Sequence, residues 1–316
     1  MNLLSSLRYL VALNEHRHFG RAAQACHITQ PALSNALRAL EAEFNVVIVK
    51  RDRKFVGLTP EGARVLASAQ LMLREHAILQ QDLSSETHLP GGPLRIAAVP
   101  TAIPILARFA AQLQARHPGI VPVVLSMSSA ELEKGLLDLS IDLGLGYIER
   151  IDPLETRLTA WTQYIEHYFL LQRVKQGEAD QLEIGPPMAW RDVAALPLCL
   201  LTPDMHNRTI VDAAFTTAGV SAKPAIETNS ILTMVLSVVA GSVCSVLPGA
   251  LVGAVRNYGQ LQALPLVSPA VRTPIGFMSH AAARPSRALE AALQLAQDPD
   301  WLQHAASHSG HLLKVL

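Results

Sequence analysis

The residues from 30 to 38 carry the side chains best suited to chemistry, and that chemistry is hydrogen bonding to an external partner. The polar members of this segment recur at helical spacing and share one side of a helix: Gln30, Ser34, Asn35 and Arg38. Amide, hydroxyl and guanidinium groups supply the donors and acceptors that read base edges in the major groove of DNA. An ordinary surface helical hairpin would also present such a polar side, so this helix alone leaves both interpretations open.

The helix that must position these groups is defined by its apolar side and its ends. Apolar residues at i, i+3, i+4 and i+7 predict a buried stripe: Leu33, Ala36, Leu37 and Leu40. Glu41 is expected on the outward side. Thr29 or Gln30 can cap the helix, and Pro31 suits its first turn because the missing N–H is not needed there. The alanines at 22 and 23 let a preceding helix pack closely, which predicts a helix-turn-helix.

Short motifs keep their order and spacing from residue 7 to residue 62. They are LRYLVAL (7–13), FGRAA (19–23), TQPALS (29–34), LRALE (37–41) and LTPEG (58–62). With these motifs the N-terminal segment resembles the LysR-type transcriptional regulators. The resemblance implies a winged helix-turn-helix over residues 1–60 that binds double-stranded DNA. The helix residues expected at the DNA are Arg21, Thr29, Gln30, Pro31, Ser34, Asn35 and Arg38.

Three positions depart from the family pattern, and none of them lies on the expected reading side. Gly20 stands where the family usually has Ser or Thr as a helix cap. Asn45 replaces a usual Gly, which is tolerable because Asn also enters left-handed conformations at helix ends. Residues 46–49 read VVIV where the family carries Leu-Phe, so packing at the wing is expected to differ.

Charge is distributed unevenly along the chain. Residues 1–60 hold eight Lys and Arg against four acids, a net charge of +4 in a chain whose total is zero. Lys50, Arg51, Arg53 and Lys54 form a compact basic cluster. Such a cluster suits a wing that grips phosphates and adds affinity without sequence information. A solvated basic turn is the alternative for the cluster taken by itself.

Composition indicates a helix-rich or α/β protein of two or three units. The chain has 316 residues, half of them apolar, and its cysteines, Cys26, Cys199 and Cys244, are too widely spaced for a disulfide framework or metal cluster. No signal peptide opens the sequence, so a cytoplasmic protein is expected. The uncharged residues 231–255 are long enough for a membrane span. Their Gly, Ser and Pro residues instead favour helix 231–240, strand 243–247 and a new helix from Pro248.

A helix is predicted from Glu61 to about Ser85, with Thr59 as its cap. Its apolar and small residues run near heptad spacing: Ala63, Leu66, Leu73 and Ala77. This resembles the linker helix of the family (residues 61–88), which implies a dimer through that helix and a tetramer beyond it. A lone amphipathic helix packed on its own core is the alternative. The HLPGGP segment then predicts a hinge at residues 89–93.

Strands and helices alternate after the hinge. Strands are predicted at 94–99, 120–125, 141–145, 168–172 and 198–201, and helices at 103–116, 131–137 and 211–218. This alternation implies parallel sheets covered by helices. By resemblance, residues 94–300 form an effector-binding domain of two lobes like periplasmic binding proteins of type 2. Lobe I is expected over 94–165 and 273–300, lobe II over 167–267, with crossing strands near 165–168 and 266–273. Residues 301–316 are expected to form a frayed polar tail, because the histidines at 304, 308 and 311 are interpreted as lacking a helical metal-site spacing.

Ligands in such folds bind at the carboxyl ends of strands, beside helix N-termini. The residues that follow the predicted strands are Thr101, Ala102, Ser128, Ser129, Thr202, Met205, His206, Asn207, Arg208 and Asn229. Their hydroxyls, free helix amides and one guanidinium would favour a small anion or carboxylate. Helix capping is the alternative for each Ser or Thr taken singly, and Arg208 could instead pair with Asp204 or Asp212.

These features together predict a DNA-binding regulator, not an enzyme, whose promoter binding responds to a small-molecule effector. Its expected partners are double-stranded DNA, the effector, further copies of the chain and RNA polymerase, with no membrane and no cofactor. A solute-binding protein or enzyme with an incidental helix-turn-helix is one alternative, although no phosphate loop, metal-ligand spacing or nucleophile motif supports it. A redox-responsive regulator is the other. Peroxide-sensing relatives use a pair of cysteines in the regulatory domain, whereas Cys199 lies in an apolar run that predicts a buried core position.

Overall fold

The structure is a computed structural model that describes residues 2–51, 55–84, 89–152, 157–174, 180–281 and 284–309. The chain divides into two compact units, Met1–His88 and Leu89–Leu316. Each unit has its own apolar core. No helix among the described residues is both long and apolar enough to cross a membrane.

The described residues of the first unit form four helices and a two-stranded hairpin. Its elements are α1 Leu3–His16, α2 Phe19–Ala25, α3 Gln30–Phe44, β1 Val49–Arg51, β2 Phe55–Leu58 and α4 Pro60–Ser84. The leucines predicted for the rear of α3 are buried, and they pack with leucines of α1 and with Ile48. Ala36 is only half-buried. Burial of several full leucine side chains, each contributing about 1.5–3 kcal/mol, holds α3 in place.

The ends of α2 and α3 show which residues set the helix boundaries. His18, not the residue at position 20, caps α2, because its Nδ1 accepts from the N–H groups of Gly20 and Arg21 at 3.1 and 3.3 Å. The reading of Gly20 as the cap position was therefore wrong: Gly20 lies inside the helix. Asn45 ends α3 in the left-handed conformation, with a φ of 51°, as expected.

Glu41 does not face outward as expected. Its Oε1 accepts hydrogen bonds from the backbone N–H groups of Ile48 and Val49, both at 3.0 Å. Those N–H groups lie where the chain turns from α3 into β1. Glu41 therefore fixes the start of the hairpin to the helix.

Helix α4 covers the predicted linker segment, and Thr59 caps it by accepting from Gly62 N at 2.8 Å. Its buried side differs from the predicted seam. Leu66 and Leu73 pack against the core of the first unit, while Ala63 and Ala77 are exposed. The exposed apolar side chains of α4 are Leu71, Met72, Leu79 and Leu83. An outward apolar surface exists, but its residues are not those that the spacing indicated.

The second unit is a mixed sheet covered by helices. Its strands are β3 Gly92–Ala98, β4 Ile120–Ser126, β5 Leu143–Tyr147, β6 Leu158–Arg173, β7 Glu183–Ile184, β8 Met188–Ala189, β9 Leu198–Leu201, β10 Ile226–Thr228, β11 Cys244–Pro248, β12 Leu261–Val267 and β13 Arg272–His280. Its helices are α5 Ile103–Arg116, α6 Ser129–Leu137, α7 Trp190–Val193, α8 His206–Thr217, α9 Ile231–Ala240, α10 Gly249–Ala254, α11 Arg287–Ala296 and α12 Pro299–His308. Short 3-10 turns span Pro100–Ala102 and Ile148–Arg150.

Strand β6 joins two halves of this unit. Its first ten residues pair antiparallel with β13, whose other neighbour is β5. Its last residues pair with β11 on one side and β12 on the other. The pairs β3–β4 and β3–β5 in one half, and β9–β10 and β9–β11 in the other, are parallel. We call the half built on β3, β4, β5 and β13 the first lobe, and the half built on β9 to β12 the second lobe.

Several predicted boundaries shift. The strand predicted at 168–172 is the end of the longer β6, and the helix predicted at 211–218 starts five residues earlier, as α8. The predicted hinge at 89–93 overlaps β3, since Gly92 already pairs with Ile120. Residues 85–88 lie outside the described residues.

The expected frayed tail is wrong for residues 301–309. Asp298 caps α12, and Trp301 and Ala305 are fully buried in the core of the first lobe. His304 and His308 are four residues apart on this helix, so they do share a face, with ring centroids 4.3 Å apart. Residues 310–316 lie outside the described residues.

Candidate functional site

The outward side of α3 presents polar groups that the fold leaves available. Gln30, Asn35 and Arg38 are exposed and Ser34 is half-buried. Arg38 Nη1 donates to Asn35 Oδ1 at 3.3 Å, which links these two side chains on the helix surface. With its rear anchored by buried leucines, α3 can place this set of donors and acceptors against a groove.

Three other predicted contact residues have structural roles as well. Thr29 caps α3, its Oγ1 accepting from Ala32 N at 3.3 Å, and Pro31 occupies the first turn. Arg21 is exposed, and its Nη2 donates to the carbonyl of His16 at 3.0 Å. These residues lie at the start of α3 and on α2, beside the outward polar side chains.

The hairpin β1–β2 occupies the position predicted for a wing. Lys50 is exposed on β1, and Arg51 also belongs to that strand. The predicted phosphate contacts Arg53 and Lys54 lie outside the described residues. Arg17 lies over the ring of Phe55, 5.7 Å from its centroid, which ties the hairpin to the end of α1.

A small cavity lies between the two lobes, at the carboxyl ends of β3, β5 and β9. Its volume of about 10 Å³ is room for about one water molecule. Six of the residues predicted for the effector site line it, namely Thr101, Ser128, Ser129, Met205, His206 and Asn207. The remaining lining residues are Val99, Pro100, Tyr147 and Leu201. Ala102 is buried in the turn after β3 and is not among them.

A chain of buried hydrogen bonds forms one wall of this cleft. Tyr147 OH lies 3.0 Å from Thr101 Oγ1, and Asn207 Nδ2 donates to the hydroxyls of Tyr147 and Tyr168 at 3.2 and 3.3 Å. Tyr168 OH lies 3.5 Å from Thr273 Oγ1. Because Asn207 belongs to the second lobe and Tyr147 to the first, the chain connects the lobes. Sequence reasoning missed both tyrosines, since aromatic residues in strands are typical of core.

His206 sits at the cleft mouth among groups of the first lobe. Its ring contacts the Tyr147 ring edge-on at 4.8 Å, Nδ1 lies 3.3 Å from Arg150 Nη1, and Nε2 lies 3.4 Å from Glu149 Oε1. Arg150 is itself held by Glu133 at 2.6 and 3.2 Å, which raises the pKa of its guanidinium. These contacts bring α6, the Ile148–Arg150 turn and α8 together.

Arg208 does not offer a free positive charge to the cleft. Its Nε donates to both oxygens of Asp212 at 2.9 and 3.0 Å, and its Nη1 donates at 2.7 Å to Glu227 and to the carbonyl of Leu201. The sequence alternative of pairing with Asp212 is the one found. The guanidinium therefore ties α8 to β9 and β10, which removes the group that most favoured an anion.

Three further residues predicted for the effector site differ from the expectation that they bind a ligand directly. Ser128 caps α6 through a capping box with Glu131, whose pKa those hydrogen bonds lower. Asn229 is exposed ahead of α9 and does not line the cavity. Thr202 lies beyond β9 with its Oγ1 buried and without a hydrogen-bond partner among the described residues.

Glu166, which sequence reasoning passed over, is fully buried on β6. Neither of its carboxyl oxygens has a partner in hydrogen-bond geometry among the described residues. Burial raises the pKa of this carboxyl to about 8, while the nearby Tyr164 hydroxyl works in the opposite direction. Buried polar atoms without partners are rare in proteins and call for an explanation such as a ligand or water. The hydroxyls of Ser129, Thr202 and Tyr164 are also buried without a hydrogen-bond partner among the described residues.

The cysteines are placed unfavourably for a redox pair. Cys199 is aligned with Ser245 and Cys244 with Leu198 on adjacent parallel strands, so the two thiols point to opposite faces of the sheet and into different cores. Cys26 belongs to the first unit. Burial raises the pKa of all three thiols, which disfavours the reactive thiolate.

Comparison with known families distinguishes a dedicated regulator from a chance helix-turn-helix. The family described as bacterial regulatory helix-turn-helix protein, lysR family, matches residues 4–63, and the LysR substrate binding domain matches residues 87–299. The chain belongs to the LysR family. Both models belong to this family, so the helix-turn-helix is a regular part of the family's domain arrangement and not an incidental one.

Relatives of this LysR-family chain are named as regulators. A hydrogen peroxide-inducible genes activator of Pectobacterium carotovorum subsp. carotovorum is 36% identical over 143 residues, 44% of this chain and 47% of that protein. The DNA-binding transcriptional dual regulator OxyR of Escherichia coli (strain K12) is 42% identical over 103 residues, 33% of this chain and 34% of that protein. The chain thus matches less than half the length of these relatives. The probable HTH-type transcriptional regulator LrrA of Synechococcus elongatus is 28% identical over 246 residues, 78% of this chain and 80% of that protein.

Solved structures of full-length LysR regulators share the fold. A full-length OxyR variant from Pseudomonas aeruginosa has a TM-score of 0.68 at 23% identity, covering 93% of this chain and 97% of that one. CbnR, in complex with its target DNA, has a TM-score of 0.61 at 21% identity, covering 96% of this chain and 99% of that one. At these identities the likeness establishes the architecture alone.

Proposed function

We propose that this LysR-family protein is a transcriptional regulator that binds promoter DNA through α3 and changes that binding when a small molecule enters the cleft between its lobes. The observation that carries the proposal is the division of α3 into a buried leucine side and an exposed side of amide and guanidinium groups. Such a helix is rigidly held and offers base-reading groups. CbnR, of the same fold, is described in complex with its target DNA.

The proposal includes the DNA contacts and the domain bounds that the sequence predicts. Residues 1–60 bind DNA, 61–88 link and dimerise, and 94–300 bind the effector. Helix α12 adds residues 299–308 to that last domain, since Trp301 lies in its core. Arg53 and Lys54, with Lys50 and Arg51, remain the predicted phosphate contacts of the wing.

Self-association is also part of the proposal. Leu71, Met72, Leu79 and Leu83 expose apolar surface along α4. A groove of about 380 Å³, lined by Leu7, Phe44 and Met72 among others, lies beside them in the same unit. Exposed apolar side chains that lie along one helix are typical of an interface. We infer a dimer through α4 and a tetramer of two such dimers, acting in the cytoplasm with RNA polymerase as a further partner.

A cysteine-based redox response is not favoured as the second function, although several relatives are named as hydrogen peroxide-inducible genes activators. The opposite orientation of Cys199 and Cys244 and the raised pKa of both thiols argue against a pair that forms reversibly. The cleft is lined by the buried hydroxyl of Ser129, which has no hydrogen-bond partner among the described residues, and this supports a bound effector instead.

Binding to the DNA upstream of its own gene tests the proposed function. Fluorescence anisotropy with that duplex and with a scrambled duplex of equal length should show tighter binding to the first. The affinity for both should fall with salt, because phosphate contacts release counterions. Equal affinity for both duplexes at every salt concentration would refute sequence-specific regulation by this protein.

A further inference from the structure

The charges around the cleft are balanced everywhere except at Glu166. The guanidinium of Arg208 is held by Asp212 and Glu227, and that of Arg150 by Glu133. Glu149 lies 3.4 Å from the His206 ring. Glu166 alone among these charged groups has no hydrogen-bonding partner among the described residues. Glu166 is not among the residues that line the cavity at its present size, and the guanidinium groups of Arg150 and Arg208 are both held by carboxylates.

Glu166 belongs to the same buried layer as the cleft tyrosines. Residues 164, 166 and 168 alternate along β6, so all three point to one face of the sheet, and all three are buried. Ile275 of β13 pairs with both Tyr147 and Tyr164, so these two side chains share a face of the sheet. Burial is the main cause of the raised pKa of the three tyrosine hydroxyls, and the charge of Glu166 adds to it. Tyr147 lines the cavity, and Tyr168 bonds to Asn207, which lines it too.

Three tyrosines around one carboxyl form a site with a clear chemical preference. Aromatic faces attract cations, most strongly where water is excluded. A carboxylate accepts charge-assisted hydrogen bonds from an ammonium group, and these are stronger than bonds between neutral groups. An anion could only accept a hydrogen bond from the protonated carboxyl, with no free positive charge beside it, and the ionised carboxylate would repel it.

We propose that the effector is a small organic cation, a protonated amine, that binds among Tyr147, Tyr164 and Tyr168 with its N–H groups directed to Glu166. This inference rests on the proposed function, since it specifies the ligand of the same cleft, and it replaces the anion predicted from the sequence. The cavity now holds about one water, so an organic ligand must part the lobes. The natural point of opening is Asn207, whose two hydrogen bonds to Tyr147 and Tyr168 an entering ligand would displace.

Ligand-dependent thermal unfolding of the full chain tests the proposal. Methylammonium chloride is titrated at pH 8, with sodium acetate and sodium chloride at equal ionic strength. We expect a saturable rise in the midpoint temperature with methylammonium only. Glu166→Gln keeps size and hydrogen bonding but cannot ionise, and should weaken methylammonium binding at least about tenfold. Glu183→Gln, an exposed strand carboxylate remote in sequence, should bind as wild type.

Proton release provides a second, independent readout. A cation binds to the ionised form of Glu166, and the raised pKa keeps part of the protein protonated at pH 8, so cation binding releases protons. Titration calorimetry in two buffers of different ionisation enthalpy should show this release by wild type and none by Glu166→Gln. Glu166→Asp, which keeps the charge on a shorter side chain, should release protons while binding more weakly than wild type.

Three outcomes would overturn the inference. They are a wild type that methylammonium does not stabilise, stabilisation by acetate instead, or methylammonium binding of equal strength in Glu166→Gln. Measuring binding to the upstream duplex with the same preparations separates the two proposals. Specific DNA binding without an amine effect rejects only the ligand class, whereas loss of specific DNA binding in wild type rejects the regulator itself.

Discussion

Arg38 is the exposed side chain whose removal should most clearly separate sequence reading from general affinity. Arg38→Ala deletes an exposed guanidinium and its bond to Asn35, leaving the buried side of α3 intact. If Arg38 makes a good base contact, its loss costs about 1–3 kcal/mol of binding to the upstream duplex and much less to a scrambled one. Anisotropy titrations with both duplexes measure the difference, and Gln30→Ala is expected to act in the same direction.

Lys50 on β1 is the matched control for a phosphate contact. Lys50→Ala should weaken binding to both duplexes by a similar factor and lower the slope of log affinity against log salt by about one unit. If Lys50→Ala changed the base preference and Arg38→Ala did not, Lys50 would be the residue that contacts bases and Arg38 would not.

The carboxyl of Glu166 should make folding stability depend on pH. Its pKa is raised from 4.5 to about 8 in the folded chain. The folded state therefore holds a proton that the unfolded state has lost, and this contribution is complete below pH 4.5 and is lost as pH rises through about 8. Its size is on the order of a few kcal/mol. Glu166→Gln should lack the decline, so its midpoint temperature relative to wild type should increase from pH 5 to pH 8.5. Parallel curves would show that Glu166 does not titrate in this range.

The side chains that the sequence predicted well are those whose environment is local. The leucine stripe of α3 and the Thr29 cap depend on spacings of three or four residues. The partners of Arg208 include Glu227, which is brought close only by the pairing of β9 with β10. Glu166 lies between Ile165 and His167 in β6, and its residue type predicts exposure, whereas the folded chain buries it fully. Pairings between distant segments therefore limited the prediction of the cleft.

Helix ends determine how the elements of the first unit meet, and Gly62 is the clearest case. A Cβ on Gly62 would lie 2.1 Å from the carbonyl oxygen of Ile48, far inside van der Waals contact with backbone. The glycine of the LTPEG motif is therefore needed for α4 to start against the hairpin. Gly62→Ala should destabilise the first unit by about 1–3 kcal/mol, measured by urea unfolding of the full chain. Gly57→Ala, where a Cβ meets nothing within 4 Å but φ is +156°, serves as a control for backbone strain alone. Equal losses in both variants would mean that the close approach of Gly62 to Ile48 does not cause the loss of stability.

Elements whose boundaries were mispredicted carry signals that spacing alone did not resolve. Helix α8 begins at His206 rather than near Val211 because Met205 already adopts the extended conformation that precedes a helix. The expected tail is helical because Asp298 caps it, Pro299 fits its first turn, and Trp301 is buried against Phe109 at a centroid distance of 5.0 Å. The Asp-Pro pair could have indicated this helix start from the sequence.

Assembly of the whole protein depends on which leucines of α4 already pack against the core of their own chain. Leu66 and Leu73 pack on the core of the first unit, whereas Leu79 and Leu83 are 55% and 77% exposed. A dimer through α4 must therefore bury the second pair. Leu79→Lys with Leu83→Lys should give monomers that unfold at nearly the wild-type temperature when compared at low concentration, and should lose affinity for the upstream duplex. Sedimentation at micromolar concentration measures the first effect and anisotropy the second.

The matched double variant Leu66→Lys with Leu73→Lys should behave differently, because lysines at those positions place charge against buried apolar side chains. It should unfold the DNA-binding unit, seen as loss of helical circular dichroism, rather than release a folded monomer. Dimers that persist at wild-type strength after Leu79 and Leu83 are both replaced, in a protein that stays folded, would place the interface elsewhere on the chain. The apolar groove beside Met72 would then be the next surface to alter, since it exposes the other large apolar patch of the same unit.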